Sequence, residues 1–474
     1  MTARTPPVAT CTRPSVAQCA PTRPVPAPES ALRKGIRHPA RLVPLGFLVL
    51  ISIGTALLML PAARNAGVGA PLLTALFTST SAVCVTGLVV VDTPVYWSTF
   101  GQWIILGLFQ AGGLGIMTGA TLLGLLVAGR LGLESRLAAQ AETREVSLGN
   151  VRDVLRIVVL VTLVVEGATT LALTLRFHFA HGAPWGQALW EGLFHAVSAF
   201  NNAGFSTRSD SLTTWAGDAL VIVPLTLAVL LGGLGFPVLS ELRRRPLDWR
   251  RWSVHTRLTL QGTALLVVGG ATLIAAYEWH NPATFGALEG TERVLGAMFH
   301  SIAARTAGFN TVDVGAMQLE TQAVTWALMF IGGGSGGTAG GIKITTFMLL
   351  GYAVWAEARG SQDTVVFRRR VPDEALRLAL AVVLMALTVL AFGVLALLSV
   401  TDLAVEDAIF ESISASATVG LSTGVTATLP PAGQAILIAL MFIGRVGSVT
   451  LVTALAMRRR PRAFRYPEER PIVG

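Results

Sequence analysis

Charged residues are scarce in this chain. They make up 13% of its 474 residues, against 52% apolar. A soluble domain carries about 25% charged residues, so too few are present here to cover a water-facing surface, and a wholly soluble protein is excluded. Cysteine is scarcer still. Cys11 and Cys19 lie in a stretch that reads as a tail and Cys84 in an apolar segment, which excludes a disulfide framework. No Ser/His/Asp set, paired carboxylates or metal-ligand cluster sits in the apolar segments, so the chain reads as no enzyme and implies no covalently bound cofactor. Lysine is nearly missing, with Lys34 and Lys343 alone against 34 arginines. The net charge of +9 is not spread as a nucleic-acid surface needs; the arginines collect in short runs between apolar segments, the pattern of cytoplasmic loops. Residues 1–40 hold eight prolines and lack the apolar run of a signal peptide, and they read as a disordered cytoplasmic tail.

What the chain does have is a glycine loop, four times over. The copies are Ala82 to Leu88, Ala199 to Phe205, Ala303 to Phe309 and Ser416 to Leu421, each with a glycine (Gly87, Gly204, Gly308, Gly420) followed by a bulky apolar residue. Long apolar segments flank each loop and a short one precedes it. The long pairs are 42–60 with 103–127, 154–175 with 219–239, 258–277 with 324–355, and 375–400 with 436–457. The short segments, 72–83, 189–200, 294–304 and 408–417, fall below the ~20 residues that cross a bilayer as a helix and suit re-entrant helices. About 25 residues after each loop glycine the second long segment repeats its own signature, around Gly112, Gly232, Gly333 and Arg445.

The expected fold is therefore an all-α integral membrane protein of four TM–re-entrant pore helix–TM repeats around a pseudo-fourfold pore axis. The expected division is a tail (1–40), repeat 1 (41–128), a linker (129–152), repeat 2 (153–241), a linker (242–256), repeat 3 with a broken helix and gating loop (257–357), a linker (358–374), repeat 4 (375–457) and a C-terminal tail (458–474). Arginine runs in the linkers, such as Arg243 to Arg245, Arg368 to Arg370 and Arg458 to Arg460, place both termini in the cytoplasm and the glycine loops outside. Non-helical backbone at membrane depth must line a cavity.

A partly dehydrated cation needs oxygens in place of its water shell, and backbone carbonyls supply them when aimed at an axis. The expected filter is Val85, Thr86 and Gly87; Asn202, Ala203 and Gly204; Thr306, Ala307 and Gly308; and Thr418, Val419 and Gly420, with K+ held at these residues. Neutral loops suit a large monovalent ion. Asp92, Asp210, Asp313 and Glu320 would concentrate cations outside them. Glycines that only terminate short helices are the plainer reading. Arg305 is expected to turn back and pair with an acid, Glu292 or Glu411. The run Gly332, Gly333, Gly334, Ser335, Gly336, Gly337, Thr338, Ala339, Gly340 and Gly341 should break its helix, since glycine costs about 1 kcal/mol per helical position relative to alanine. It is no phosphate loop, because Ile342 and Ile344 flank Lys343. It reads as a gate below the filter, with Lys343 pairing with an acid or facing the cytoplasm; close helix packing is the alternative. Arg445 would keep a cation from resting too stably below the filter, or serve as a structural pair or snorkelling residue.

With these residues in view, the chain resembles the Trk/Ktr/HKT superfamily of cation transporters. The resemblance rests on Arg305 to Thr311, Gly336 to Lys343 and Phe442 to Gly447 together with the four repeats, and runs from about Arg41 to the C-terminus. Eight candidate spans and the ending Tyr466 to Gly474 are most similar to the Ktr-type, KtrB-like potassium-translocating membrane subunit. The resemblance implies gated, channel-like bacterial potassium uptake, often sodium-dependent. It implies a homodimer in the plasma membrane, in contact with lipid, on a cytoplasmic nucleotide-binding ring (RCK-type, KtrA-like), with nucleotide on that partner only. Glycine in the first filter loop, where some sodium-selective relatives have serine, favours potassium. The alternatives are a sodium-permeable channel or sodium transporter of the same family, and a secondary transporter of another solute.

Overall fold

The computed structural model describes residues 39–129, 151–246 and 248–457, with side chains over 43–118, 156–246 and 248–447. Residues 1–38 and 458–474 of the expected tails, Cys11 and Cys19, and 130–150 of the first linker lie outside the described residues.

The described chain is almost entirely helical, and its helices come in sets. The first set is α1 (Pro39–Leu58), the short α2 (Leu72–Val83), the single turn α3 (Thr93–Tyr96) and α4 (Thr99–Gly129). The second is α5 (Val151–Phe179), α6 (Trp185–Asn201), α7 (Ala219–Leu234) and α8 (Phe236–Arg244). The third is α9 (Val254–Glu278), α10 (Gly290–Ala303), α11 (Leu319–Phe330) and α12 (Ile344–Ala358). The fourth is α13 (Asp373–Val400), α14 (Val405–Ser416) and α15 (Pro431–Met457). Local chemistry sets where the short helices begin. Pro71 and Pro184 precede α2 and α6, Glu289 and Glu292 close a capping box on α10, and Glu406 and Asp407 fill the first turn of α14, where acids complement the helix dipole.

Among the described residues four helices are long and apolar enough to cross a membrane: Thr99–Thr118, Arg156–Phe179, Val254–Glu278 and Asp373–Val400. The pair α7 and α8 forms a fifth, bent by 103°, and shorter apolar helices at Val43–Leu58, Ile344–Ala358 and Pro431–Gly447 accompany them. Large apolar side chains such as Leu163, Leu227, Val268, Leu384 and Phe392 point outward, as a lipid solvent allows. The chain is a multi-pass membrane protein.

In sets one, two and four the short helix lies between its two long partners, and in set three it packs on α9. The contacts between sets then close a circle. Helix α4 packs on α6, α7 on α10, α11 on α14, and α15 back on α2, so the inner helix of each repeat supports the short helix of the next. Three apolar cores fill the spaces around the circle, with Phe77, Phe109, Phe194, Phe299 and Phe410 fully buried among them.

Two features break the fourfold pattern. The expected interruption in repeat 3 runs from Ile331 to Lys343, between α11 and α12. The second was not expected. Residues 219–239 read as one apolar segment, but the helix turns sharply at Gly235, whose φ of +91° is closed to most side chains, and restarts with Pro237 in its first turn. A two-residue hairpin also appears in the third linker, pairing Val365–Val366 with Arg369–Arg370. Its turn residues, Phe367 and Arg368, hold positive φ without the usual Asn-Gly pair, so the sequence carried no signal for it.

Candidate functional site

Each short helix runs directly into its glycine loop. In three repeats the N–H just before the loop glycine bonds back to a carbonyl in the short helix: Thr86 to Ser81, Ala203 to Ser198 and Val419 to Ser414, each at 2.8 Å. In the third, Ala307 bonds to Ala303 at 2.9 Å. The Gly87 and Gly420 N–H groups donate to the Ser81 and Ser414 hydroxyls, both at 3.1 Å. With the N–H groups turned toward the helices, the carbonyls face the other way. The φ angles keep them there. Val85, Asn202, Thr306 and Thr418 are left-handed, and so are Gly87, Gly204, Gly308 and Gly420, whereas the residue between each pair is not. Backbone that alternates hand in this way lines N–H groups on one side and carbonyls on the other. Left-handed backbone costs an L-residue about 1–2 kcal/mol, and Val85, Thr306 and Thr418 are β-branched, so the surroundings impose this geometry.

The four loops meet. A Cβ on Gly87 would lie 3.0 Å from the Gly204 Cα, one on Gly204 2.9 Å from Gly308, one on Gly308 3.2 Å from Gly420, and one on Gly420 3.1 Å from Gly87. Each would also press on the carbonyl oxygen ahead of the next glycine: Ala203 at 2.5 Å, Ala307 at 3.0 Å, Val419 at 2.7 Å, and Thr86. The glycines form a closed ring with one carbonyl from each repeat at its wall, and no side chain fits inside it. A cavity of about 320 Å³ lies against the ring and is lined by all four glycines, with Asp92, Asp313 and Asn310 in its wall. The C-terminal ends of α2, α6, α10 and α14 lead into the ring from below, and each carries the equivalent of roughly half a negative charge from its dipole.

The loop from Ile331 to Lys343 lies under the ring. Thr338 is its most connected residue. Its N–H donates to Gly232 O (3.2 Å), its hydroxyl to Phe200 O (3.3 Å), and its carbonyl accepts from Arg445 Nη1 (2.5 Å). Gly334 N–H donates to Gly233 O at 2.8 Å and Phe236 N–H to Gly336 O at 3.2 Å, so the loop is stitched to the bend in repeat 2. Gly340 packs against Ala417 and Thr418 at the base of the fourth glycine loop. Gly112, Gly232 and Gly444 each lie against the terminal carbonyls of their own short helix, at Val83, Phe200 and Ser416. That contact explains the signature in repeats 1, 2 and 4; in repeat 3, Gly332 and Gly333 lie against Gly340, Ala339 and Gly233 instead.

A cation transport protein family, TrkH, matches residues 25–466. The chain belongs to the TrkH family. Relatives within reach of this TrkH-family chain include the Ktr system potassium uptake protein B of Bacillus subtilis, 38% identical over 92% of this chain and 97% of its own length. The protein of the same name from Vibrio alginolyticus is 36% identical over 92% and 94%. The potassium/sodium uptake protein NtpJ of Enterococcus hirae is 33% identical over 94% and 99%. The potassium transporter TrkH from Vibrio parahaemolyticus shares the fold, with a TM-score of 0.67 over 89% of this chain and 84% of that one at 19% identity. The family is one of transporters and not of enzymes.

Some expected roles change in the TrkH-family structure. Arg305 pairs with neither acid; it is buried and its Nη2 points to Gly332 O at 3.5 Å. Glu292 belongs to the first turn of Arg305's own short helix, about 20 Å away at 1.5 Å per residue. The Glu411 oxygens accept from Ser422 (2.5 Å), Thr426 (2.5 Å) and Thr423 N–H (3.2 Å). Lys343 meets no acid either; its Nζ donates to Ala339 O at 2.6 Å, within the loop itself. Among the four expected acids, Asp92 and Asp313 line the cavity, whereas Glu320 sits exposed on α11 outside its lining. Partial burial pushes the Asp210 carboxyl up, but bonds from Thr214 and the nearby Arg208 charge outweigh it and hold the group below the usual range.

Sequence reading missed a pair of braces. Counting nine residues back from the loop glycine gives His195 in repeat 2 and Glu411 in repeat 4, and both bond to the serine two residues past that glycine. His195 Nε2 is 2.9 Å from Ser206 Oγ, and Ser422 Oγ donates to Glu411 at 2.5 Å. His195 Nδ1 faces Glu191 O at 2.7 Å, so that nitrogen carries the proton and Nε2 accepts. The spacing was readable, but the two side chains differ in type and hide the equivalence.

Proposed function

We propose that this chain is the potassium-translocating subunit of a gated, channel-like bacterial uptake system. The observation that carries the reading is the closed ring of four glycines with a carbonyl oxygen from each repeat at its wall. Such a ring offers uncharged dipoles to a partly dehydrated monovalent cation, which suits potassium better than a divalent ion. The helix C-termini below it favour positive charge, and relatives at 36–38% identity are named for potassium uptake in Ktr systems. The filter is assigned to Val85 to Gly87, Asn202 to Gly204, Thr306 to Gly308 and Thr418 to Gly420.

The loop Gly332 to Gly341 with Lys343 is the gate in this reading, and Arg445 holds it from the fourth repeat. The arginine-rich linkers put both termini in the cytoplasm and the cavity above the ring outside, in the bacterial plasma membrane. A homodimer on a nucleotide-binding ring completes the system, and sodium acts either as a coupling ion or as a second permeant. The Enterococcus hirae relative, named for both ions, keeps sodium permeation in contention.

Complementation of a potassium-transport-deficient strain tests the whole reading. Growth at limiting potassium, with potassium titrated with and without sodium, is the expected result. Growth that follows sodium and ignores potassium would assign the ring to sodium, and no rescue by a protein that reaches the membrane would overturn the reading.

A further inference from the structure

Glu166 stands near the middle of the membrane-spanning helix α5 with 5% of its surface exposed. An intramembrane carboxylate is expensive and is retained where it has a function. Its two oxygens accept from amides on two other helices: Gln110 Nε2 on α4 and Asn201 Nδ2 on α6, both at 3.2 Å. Val197 O, at 2.9 Å, and Gln110 Oε1 lie in reach of the same nitrogen, so its two N–H bonds are shared among three acceptors. Asn201 closes the short helix of repeat 2, and the next residue, Asn202, is the left-handed start of the second filter segment. One carboxylate thus ties the outer helix of repeat 2 and the inner helix of repeat 1 to the base of a filter loop. Gly113 leaves room for the Asn201 amide, because a Cβ there would collide with it.

The back of this cluster is not sealed. A cavity of about 320 Å³ is lined by Glu166, Gly167, Thr170, Thr174, Leu163 and Leu189, and the two leucines are 62% and 54% exposed on the outer surface, away from the ring. Thr162 and Thr170 bracket Glu166 one turn on either side, and among the described residues neither hydroxyl has a hydrogen-bond partner. An ionised Glu166 accepts from the two amides, and a protonated one has hydroxyl acceptors at hand, so both states are provided for. No charge from a neighbour fixes the choice. Helices α4 and α7 carry no titratable residue. On α6, Glu191 faces Gln187 and Arg208, and His195 is held by Glu191 O and Ser206. On α5, Arg156 and Arg176 lie toward the two ends, and Arg176 pairs with Asp218.

We propose that Glu166 exchanges a proton along the Thr170 and Thr174 side of this groove, toward the Phe179 end of α5, and, by way of Asn201, positions the second filter loop, so that cation affinity follows the Glu166 protonation state. The coupling rests on the filter assignment made above; the proton exchange does not. Glu166 is a positioning residue and touches no permeating ion.

The test uses the full chain in liposomes, with rubidium uptake measured at several pH values. In the wild type the apparent KM should change about threefold or more across the titration, with the maximal rate changing less. Glu166→Gln should hold one KM at every pH, matching the acidic limit of the wild type, and Glu166→Asp should restore a pH dependence. A Gln variant that keeps the wild-type pH profile overturns the coupling. The unsubstituted protein supplies an independent readout with dicyclohexylcarbodiimide. The carboxylic acid adds across one C=N bond of this apolar reagent, its O–H proton passing to nitrogen and its oxygen to carbon, so the Glu166 peptide should gain the full reagent mass, faster in acid. A folded protein unlabelled at Glu166 overturns proton access. Labelling alongside unaltered uptake by Gly308→Ser would remove the filter assignment and leave the groove site standing.

Discussion

At Gly308 the backbone holds φ at +73°, and a Cβ would sit 2.7 Å from the Val419 carbonyl oxygen. A serine there has to push one wall of the ring against the next. Gly308→Ser and Gly204→Ser are therefore expected to change potassium affinity or selectivity about tenfold, equivalent to roughly 1.4 kcal/mol. Rubidium uptake competed with sodium measures it, and unchanged competition would remove these glycines from the filter. The glycines were legible because a shared positive φ leaves a shared residue type. The positions two before them were legible as loop positions, but their backbone hand was not. Val85, Asn202, Thr306 and Thr418 share a left-handed geometry that none of these residue types favours over glycine, so that geometry is visible only in the fold. Arg305 shows another limit: its partner is a backbone carbonyl, and a carbonyl leaves no mark on a sequence.

Between helices, the loop from Ile331 to Lys343 and the bend at Gly235 act as one unit, since Gly232 to Phe236 and Gly334 to Thr338 exchange backbone hydrogen bonds. Thr338→Val removes the hydroxyl bond to Phe200, worth about 1 kcal/mol, and should raise basal flux in liposomes; shortening the Gly332–Gly341 run should raise it further. Lower flux from a folded, shortened protein would count against a gate. The bend itself was hidden because residues 219–239 read as continuously apolar, although Gly235-Phe236-Pro237 is a helix stop followed by a helix start. At the other end of α7, Asp218 caps the helix and holds Arg176 (2.8 Å) and His181 (2.9 Å). Partial burial pushes its carboxyl up, yet those two bonds prevail and hold it below the ordinary range. A depressed carboxyl stabilises the fold above its unfolded-state value and loses that contribution as pH falls through the folded one. Asp218→Asn should thus lower the melting temperature at neutral pH, and the gap to wild type should close below about pH 4; a gap independent of pH would exclude this role.

Over the whole chain, the circle formed by α4 on α6, α7 on α10, α11 on α14 and α15 on α2 means that neither half of the molecule is finished alone. Co-expressed fragments 1–247 and 248–474 should copurify and restore rubidium uptake, whereas either fragment alone should not; a half that transports by itself would contradict the ring. The fourfold plan was legible in the repeated loops and in the glycines that follow them, because both are demanded by close backbone contacts. Its departures were only partly legible: the glycine run in repeat 3 was, the bend in repeat 2 was not. The ring has a further consequence in being drawn from one polypeptide. A filter assembled from four identical subunits changes all its walls with every mutation. Here a single codon alters one wall and leaves three, so the ring is open to gradual, one-sided change.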